Sequence, residues 1–556
     1  PVDPLPAEDV RQILDEQFGA DIACCIPIML ETFRLFRANR IGAVLGRSGF
    51  SLRDLIKWCR RVQLLCRGQD MPAVKSVEDL PHAVRLIAAR EAEDGFCAGW
   101  AKPAATRRAV DLIRSVWKID ERYTSAERPQ ILRTPLVFQI GRYQLDVHEQ
   151  VTSIQHGISG LQVDDSAAEQ YTETTHSLVV LEKVAACAKL GEPCLLVGET
   201  GTGKTSSVQH VARAVNRKLV VINLNQQTDA SDLVGGFKPV DVAQLARPIV
   251  ETFEKAFCKT FSRTSNASLL NSLHKALKTN NWKSMLKLMN STLDSVTTAN
   301  MSTPKRKKGA ARWNKVREQV ARFEQQCSGK RSFSFSFVEG ALVSAIRAGD
   351  WVLLDEINLA PAETLERLAG LLDGDDGSLC LTERGDTEAL PRNKQFRLFA
   401  CMNPPTDAGK KELPAGLRSR FTEVLVPEMT NAEDLRQIVA ESLRSCPAAQ
   451  VQDPKGAVTH IVDFYLQVRQ AAARGDLLDG AEARPVYTLR TLTRSLNYTI
   501  DMVAEYGLHR SLFDGICMSF LTQLQCKYHA TFEQLIKKCL LPGVNLETLR
   551  GSQNRG

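Results

Sequence analysis

The sequence predicts an α/β core with a mainly parallel sheet, carried between two helical domains. Three observations predict it. Short apolar runs alternate with helix-patterned stretches through the middle of the chain, as strands joined by crossover helices do. One run leads into Gly198-Glu199-Thr200-Gly201-Thr202-Gly203-Lys204-Thr205, a glycine-rich loop with phosphate-binding spacing. Two phrases near the N-terminus return, in the same order, near the C-terminus, which marks an internal duplication.

The duplication sets the outer boundaries. Ala7-Glu8-Asp9-Val10-Arg11-Gln12-Ile13-Leu14 reads almost as Ala432-Glu433-Asp434-Leu435-Arg436-Gln437-Ile438-Val439. Phe50-Ser51-Leu52-Arg53-Asp54-Leu55 likewise resembles Tyr487-Thr488-Leu489-Arg490-Thr491-Leu492. One short match arises by chance; two in order, at similar separations, are hard to obtain from unrelated amphipathic helices. Val10, Ile13 and Leu14 share one helical face, so the repeated unit is helical. Residues 1–130 are expected to form one helical domain and residues 429–556 its repeat.

Between them, Cys194–Val197, Leu219–Ile222, Trp351–Leu354, Phe396–Cys401 and Val424–Val426 supply the expected strands. Val137–Leu145 has the pattern of a small hairpin at the entrance to this core, which is drawn at 131–428. Residues 240–335 interrupt it. They are polar and helix-prone, carry Thr303-Pro304 before the basic run Lys305-Arg306-Lys307-Lys308, and read as an insertion, part helical and part flexible.

Bulk properties exclude several classes. A chain of 556 residues with 44% apolar and 24% charged side chains is expected to hold several ordinary globular domains. A formal charge of +7, taken as spread over that length, is too weak to argue for nucleic acid by itself. Fifteen cysteines without a CxxC pair fit buried thiols in a reducing compartment better than disulfides or a zinc site. No apolar run approaches the roughly 18 residues that span a membrane, and no signal peptide opens the chain. It begins Pro1-Val2-Asp3-Pro4 without an initiator Met and is expected to be a fragment of something longer.

The chemistry centres on the loop. Glycines let a backbone wrap a phosphate without side-chain clashes, and the loop amides and following helix N-terminus face its charge. Lys204 is expected to reach the β- and γ-phosphates of a nucleotide and the Thr205 hydroxyl to ligate Mg2+. Trp351-Val352-Leu353-Leu354-Asp355-Glu356 is an apolar strand ending in two acids, which a parallel sheet turns toward its ligand crevice. Asp355 is expected to hold the metal through water, and Glu356 to orient and polarise the attacking water. Asn403 ends another apolar strand and is a candidate for the γ-phosphate or that water; as a bland alternative it is a turn former before Pro404 and Pro405. Arg418 and Arg420 near the module's edge, and Arg490 and Arg53 in the repeated helical phrase, offer permanently cationic forks suited to phosphate. A basic turn or a helix-surface ion pair is the alternative for each. Asn393-Lys394-Gln395-Phe396 lacks the final Asp of a guanine-reading motif, which argues against a GTPase.

Together these elements resemble the AAA+ superfamily, with Gly198–Thr205 similar to its Walker A motif, Leu353-Leu354-Asp355-Glu356 to Walker B, Asn403 to sensor 1, Arg420 to the arginine finger and Arg490 to sensor 2. The phrases Leu233-Val234-Gly235-Gly236-Phe237-Lys238-Pro239, Phe337-Val338-Glu339-Gly340-Ala341-Leu342, Leu353-Leu354-Asp355-Glu356-Ile357-Asn358-Leu359-Ala360-Pro361 and Met402-Asn403-Pro404 resemble the midasin family more closely. That resemblance implies ATP and Mg2+ as cofactors, and a role in large ribosomal subunit assembly in the nucleus, both nucleolus and nucleoplasm. It also implies six AAA+ modules in one polypeptide ring. Residues 1–130 would be the lid of a preceding module, the first, and 131–556 the core and lid of the second. Implied partners are neighbouring modules of the same polypeptide and the pre-60S particle with its assembly factors; no membrane is implied. Lys305–Lys308 then reads as plain solvation, an import signal or a contact with ribosomal RNA. The family's Asp-x-Ser-x-Ser adhesion motif does not occur, so gripping of assembly factors is not assigned to this segment. A dynein-like or MoxR-like AAA+ protein and a non-hydrolysing nucleotide-dependent scaffold stand as alternatives.

Overall fold

A computed structural model describes residues 5–38, 50–67, 76–97, 103–120, 128–148, 171–262, 266–298, 312–314, 316–321, 323–324, 333–374, 377–386, 388–404, 411–446 and 454–550. The basic run Lys305–Lys308 and Pro405 lie outside them. The chain divides into two compact units, 1–229 with 345–379 and 390–556, and 230–344 with 380–389.

The first unit opens with helices α1 (Ala7–Ile22), α2 (Ile26–Ala38), α3 (Leu52–Leu65), α4 (His82–Ala92) and α5 (Pro103–Trp117). Val10, Leu14, Phe18 and Ile22 recur at helical spacing on α1 and are buried, which drives that face inward. The centre of this domain is aromatic: Trp58 meets Phe96 at 5.4 Å and Trp117 at 5.9 Å, edge to face. A wider π turn, Glu93–Cys97, continues α4 and carries Phe96 into that cluster.

Where a hairpin is expected, three antiparallel strands stand: β1 (Ile131–Arg133), β2 (Val137–Ile140) and β3 (Tyr143–Asp146), in that order. Helix α6 (Thr175–Leu190) follows, then β4 (Cys194–Val197), α7 (Lys204–Ala214), β5 (Leu219–Asn223), β6 (Trp351–Asp355), β7 (Arg397–Met402) and β8 (Thr422–Leu425). The last two begin at Arg397 and Thr422 rather than Phe396 and Val424, shifts within ordinary boundary error. The sheet order is β8-β4-β7-β6-β5 and every pairing is parallel. β4 and the first four residues of β6 are wholly buried, and such continuous apolar runs belong to parallel strands covered on both faces. β5, at the edge, is half-exposed. The register sets Met402 beside Val197 and Asn223 beside Asp355, so the carboxyl ends of β4, β6 and β7 share one rim.

The chain ends in helices α8 (Ala432–Leu443), α9 (Pro454–Arg474), α10 (Leu489–Tyr506) and α11 (Leu508–Ser519), followed by short helical turns, around a separate core. The sequence echo is a structural one. Val10 and Leu14 are buried as Leu435 and Val439 are, and Leu55 and Cys59 as Leu492 and Leu496 are. Ser51 and Thr488 both cap their helices with a reciprocal capping box.

Between the first helical domain and the core lies a set of buried and partly buried charges. Arg61 of α3 binds Glu192 just before β4, and Thr422 of β8 donates to that carboxylate at 2.8 Å. Arg142, at the β2–β3 turn, reaches Glu91 and Asp94 at 2.5 Å each and Glu182 of α6 at 2.8 Å.

The second unit is entered and left by one antiparallel ribbon, Gly235–Asp241 against Phe333–Glu339, in register from Gly235↔Glu339 to Asp241↔Phe333. The insertion expected at 240–335 is therefore larger, and its boundary strands are its stem. Its helices Val242–Thr260, Ala267–Lys278 and Trp282–Thr298, with helical residues up to 324, enclose Phe253, Phe257, Met285, Met289, Trp313 and Phe323. Among the described residues no helix is long and apolar enough to cross a membrane. Eight of the fourteen described cysteines are buried, and none forms a disulfide.

Candidate functional site

The loop Gly198–Thr205 joins β4 to α7 and is shaped by its glycines. A Cβ on Gly198 would overlap the Val426 carbonyl oxygen, and Gly201 has φ +82°, closed to most side chains, with Thr488 and Arg490 of the C-terminal domain directly above it. The loop is a backbone cradle with helix α7 starting at its end, the arrangement that meets an anion with amides.

Side chains from three strand ends converge on it. The Lys204 ammonium, 8% exposed, donates to the carbonyls of Gly198 and Glu199 at 2.7 and 2.8 Å and to Asn403 Oδ1 at 3.0 Å. Burial pulls its pKa below the ordinary lysine range. The Thr205 hydroxyl donates to Asp355 Oδ2 at 3.0 Å. A hydroxyl beside a single carboxylate suits Mg2+, which takes few protein ligands and completes its octahedron with water and phosphate oxygens. Among the described residues there is no cluster of three or more His, Cys, Asp or Glu for a more demanding metal. Glu356 follows Asp355 in the left-handed region at φ +55°, uncommon for a non-glycine residue and the kind of local strain held at functional sites.

Asn403, 4% exposed, is drawn into the loop itself. It accepts from Lys204 and donates to the Thr200 hydroxyl at 3.0 Å. Arg490 lies in the first turn of α10 and lines a cleft of about 450 Å³ together with the loop, Asp355, Glu356 and Asn403. A larger cavity, about 960 Å³, lies against Arg142, Asp94 and Glu93 and contains no loop residue. We place the site at the smaller one, because only there do a phosphate cradle, a cation and two acids meet.

The other arginines are elsewhere. Arg418 is bound through two nitrogens to Glu423 at 2.7 and 3.1 Å, a carboxylate whose side chain is 1% exposed, which makes it a contact within the fold. Arg420 lies away from the cleft. Its guanidinium binds the Ala369 carbonyl at 2.7 Å and Asp373 at 2.5 Å, where Arg53 also arrives at 3.3 Å.

Several residues were not singled out by the sequence reading. Asn358, 2% exposed, donates to the Asn403 carbonyl at 3.2 Å and buries an Oδ1 without a hydrogen bond. Tyr171 stacks on His210 at 4.4 Å and its hydroxyl lies 2.9 Å from Ser207 Oγ, on the cleft wall. Asp434 of α8 accepts from the Thr175 and His176 amides at 3.0 and 3.3 Å, tying the C-terminal domain to the start of α6. The signals were indirect: Asp434 lies in the repeated phrase, which spoke for a helix, and Asn358 in a phrase that resembles the midasin family.

Comparison with known proteins gives this architecture a family. A family model of the midasin AAA lid domain matches residues 9–120, and a second model of that description matches 434–543. A model of the AAA domain of the dynein-related subfamily matches 193–294 and 320–421, leaving out part of the second unit. The chain is 38% identical to midasin of Dictyostelium discoideum over 541 residues, covering 89% of this chain and 9% of that protein. It is 28% identical to midasin of Giardia intestinalis over 569 residues, covering 93% of this chain and 11% of that protein. The chain thus spans about a tenth of the length of these relatives. With a dynein-related AAA core between two lids of the midasin type, it belongs to the midasin family of AAA+ proteins.

Proposed function

We propose that this chain binds ATP with Mg2+ in the Gly198–Thr205 cleft and hydrolyses it, as one module of a ring that removes assembly factors from pre-60S ribosomal particles in the nucleolus and nucleoplasm. The nucleotide reading is carried by one observation: Asp355, Asn403 and Arg490, from three separate segments of the chain, gather about Lys204 and Thr205 of the loop. The ribosomal role, the nuclear location and the neighbouring modules as partners rest on membership of the midasin family.

ATP supplies the phosphoryl group, and magnesium the charge that steadies it in transfer. Lys204 exchanges its loop carbonyls for phosphate oxygens. Thr205 and Asp355 hold the metal, and Glu356 orients and polarises the attacking water. Asn403, already in contact with Lys204, holds the cation in line and presents an amide to the γ-phosphate side. Arg490 reports the nucleotide to the lid, because α10 begins over Gly201. Arg420 serves the site of the preceding module, whose lid is residues 1–130; 131–428 are the core and 429–556 the lid of the second module.

On this reading the local site draws its own arginine finger from a following module. Such an arginine contributes about 10³–10⁵ in rate in related enzymes, so the chain alone binds ATP and turns it over slowly. Calorimetry tests the binding: uptake of adenine nucleotide is abolished by Lys204→Ala. No uptake by the wild-type chain, or unchanged uptake by that variant, removes the proposal. In the intact ring, Glu356→Gln separates a motor from a scaffold: a scaffold keeps its activity on the particle.

A further inference from the structure

The net charge of the chain is not spread along it. Residues 241–340 hold eighteen Lys and Arg against seven Asp and Glu, a net +11, which leaves −4 on the other 456 residues. Within that block, residues 255–293 contain seven Lys and Arg and no carboxylate. Glu254, the last acid before the stretch, is engaged by the His274 ring at 2.7 Å.

The structure gathers part of this charge at one place. Helices Ala267–Lys278 and Trp282–Thr298 are joined by Thr279–Asn281, with Asn280 at φ +53°; so short a connection makes a helical hairpin. Lys275 and Lys278 end the first helix, and Lys283 and Lys287 begin the second. At 1.5 Å per residue all four lie within about 10 Å of the turn along the helix axes. All are exposed, and among the described residues none is ion-paired. The opposite face of the hairpin is committed to the core through Leu270, Leu273, Met285 and Met289.

Two plainer readings fall short. A merely solvated surface needs no single sign of charge over 39 residues. Complementing a helix dipole accounts for Lys275 and Lys278 in a last turn, but Lys283 stands in a first turn, where a cation is disfavoured.

The chemistry of the surface selects its partner. A protein interface is organised around buried apolar anchors, and among the described residues these helices expose no large hydrophobic side chain. The exposed neighbours of the lysines are Ser272, Thr279, Asn281 and Ser284, whose hydroxyls and amides are of the kind that contact phosphate and sugar. Lysine binds phosphate as a point charge, without the fixed fork geometry that arginine brings to phosphate and carboxylate alike, which suits a surface that holds a backbone without reading it. We propose that the hairpin end formed by Lys275, Lys278, Lys283 and Lys287 is an RNA-binding surface that holds the phosphate backbone without reading sequence. RNA as the source of phosphate rests on the proposed place of the chain on a ribosomal particle.

The test is fluorescence anisotropy of the whole 556-residue chain with a labelled RNA duplex of about 20 base pairs, across a salt series. Each phosphate contact contributes about 0.9 to the slope of log affinity against log salt in duplex DNA, so K275Q/K278Q/K283Q/K287Q lowers the slope by about 3.6 and the affinity at least about tenfold. The corresponding four Lys→Arg changes keep the binding, and K394Q/K411Q/K455Q/K538Q leaves it unchanged. Unaltered binding and slope in the first variant overturn the proposal. So does a polyglutamate peptide that binds the hairpin as tightly as RNA and competes equally, which would make it a surface for acidic proteins. Calorimetric uptake of ATP, measured on the same variant, keeps the two readings apart: intact ATP binding with no RNA binding by the wild type defeats this proposal alone.

Discussion

Arg61 is the residue whose removal tests how the first lid is held. Its side chain is 4% exposed, binds Glu192 at 2.6 and 3.2 Å, and lies 3.5 Å from Glu91. Arg61→Met keeps the aliphatic stem and deletes the charge. Glu91 retains Arg142 at 2.5 Å, but Glu192 is left with the Thr422 hydroxyl at 2.8 Å and the Lys57 charge. Breaking a buried pair from one side costs roughly 3–5 kcal/mol, because a charge is left uncompensated. The surviving partners place this case near the lower end, about 3 kcal/mol, or roughly a hundredfold in the opening of lid from core. Hydrogen exchange reads it directly, with amides of α3 and α6 followed separately in wild type and variant. The effect of pH has a definite sign. Burial pushes Glu192 up, but the Arg61 charge and hydrogen bond, aided by Lys57 and Thr422, outweigh it and hold the carboxyl below its ordinary value. Its stabilisation is complete above the ordinary carboxylate range and lost as pH falls through the lowered value. Without Arg61, burial dominates, the folded-state value rises, and the variant gains stability as pH falls toward about 4. The difference between the two proteins is therefore widest near neutrality and closes on acidification. Arg61→Met/Glu192→Leu removes both charges and recovers most of the loss. A single variant within about 0.5 kcal/mol of wild type at neutral pH, the scale of an inert surface change, refutes the reasoning, as does a double variant weaker than the single.

Three further outcomes are expected. Gly198→Ala drives a methyl into the Val426 carbonyl, at an overpacking cost of about 1–3 kcal/mol; calorimetry is expected to show ATP affinity falling about five- to a hundredfold. Thr205→Ala deletes the hydroxyl beside Asp355 and shifts ATP binding to higher magnesium concentration, while Thr205→Ser restores it, both seen by titrating the metal at fixed ATP. Arg418→Ala strands the buried Glu423 and lowers stability by roughly 3 kcal/mol in denaturant titration, whereas Arg420→Ala, which breaks a half-exposed pair with Asp373, costs no more than about 1 kcal/mol and in the intact ring slows the neighbouring site instead.

What could be read in advance follows from how locally each feature is encoded. β4 and β6 are short apolar runs with no polar interruption, β7 is one marked only by Arg397 at its start, and the loop after β4 is fixed by spacing alone, so all were legible. So was the repeat, since the same helical positions must be buried in each copy. The charges joining lid and core were not: Arg61 and Glu192, like Arg142 and Glu91, are distant in sequence, and each alone reads as an ordinary surface residue. The contact of Arg418 was hidden for a different reason: its partner Glu423 is near in sequence but sits on a strand, where a buried carboxylate is not expected. The insertion's edges were missed by several residues because its stem is a β-ribbon, while the polar helical composition begins only inside it.

The repeat also gives Arg53 a meaning that position alone does not. Arg53 and Arg490 both stand one residue inside a helix opened by a capping box. Arg490 overlooks the one phosphate loop in the sequence. Arg53 instead meets Arg420 on the carboxylate of Asp373, while Lys57 of the same helix donates to the Arg420 carbonyl at 3.1 Å. Two guanidinium groups on one half-exposed carboxylate are a weak attachment in water. A phosphate, with more charge and more acceptor oxygens, satisfies both better. On the proposed role of Arg420, the pair is held in place without being committed, and can exchange the carboxylate for a phosphate. The buried Arg61 contact one helix turn beyond Lys57 is the firm part of the same interface. Through Glu192 it also reaches Thr422 at the start of β8, two residues beyond Arg420.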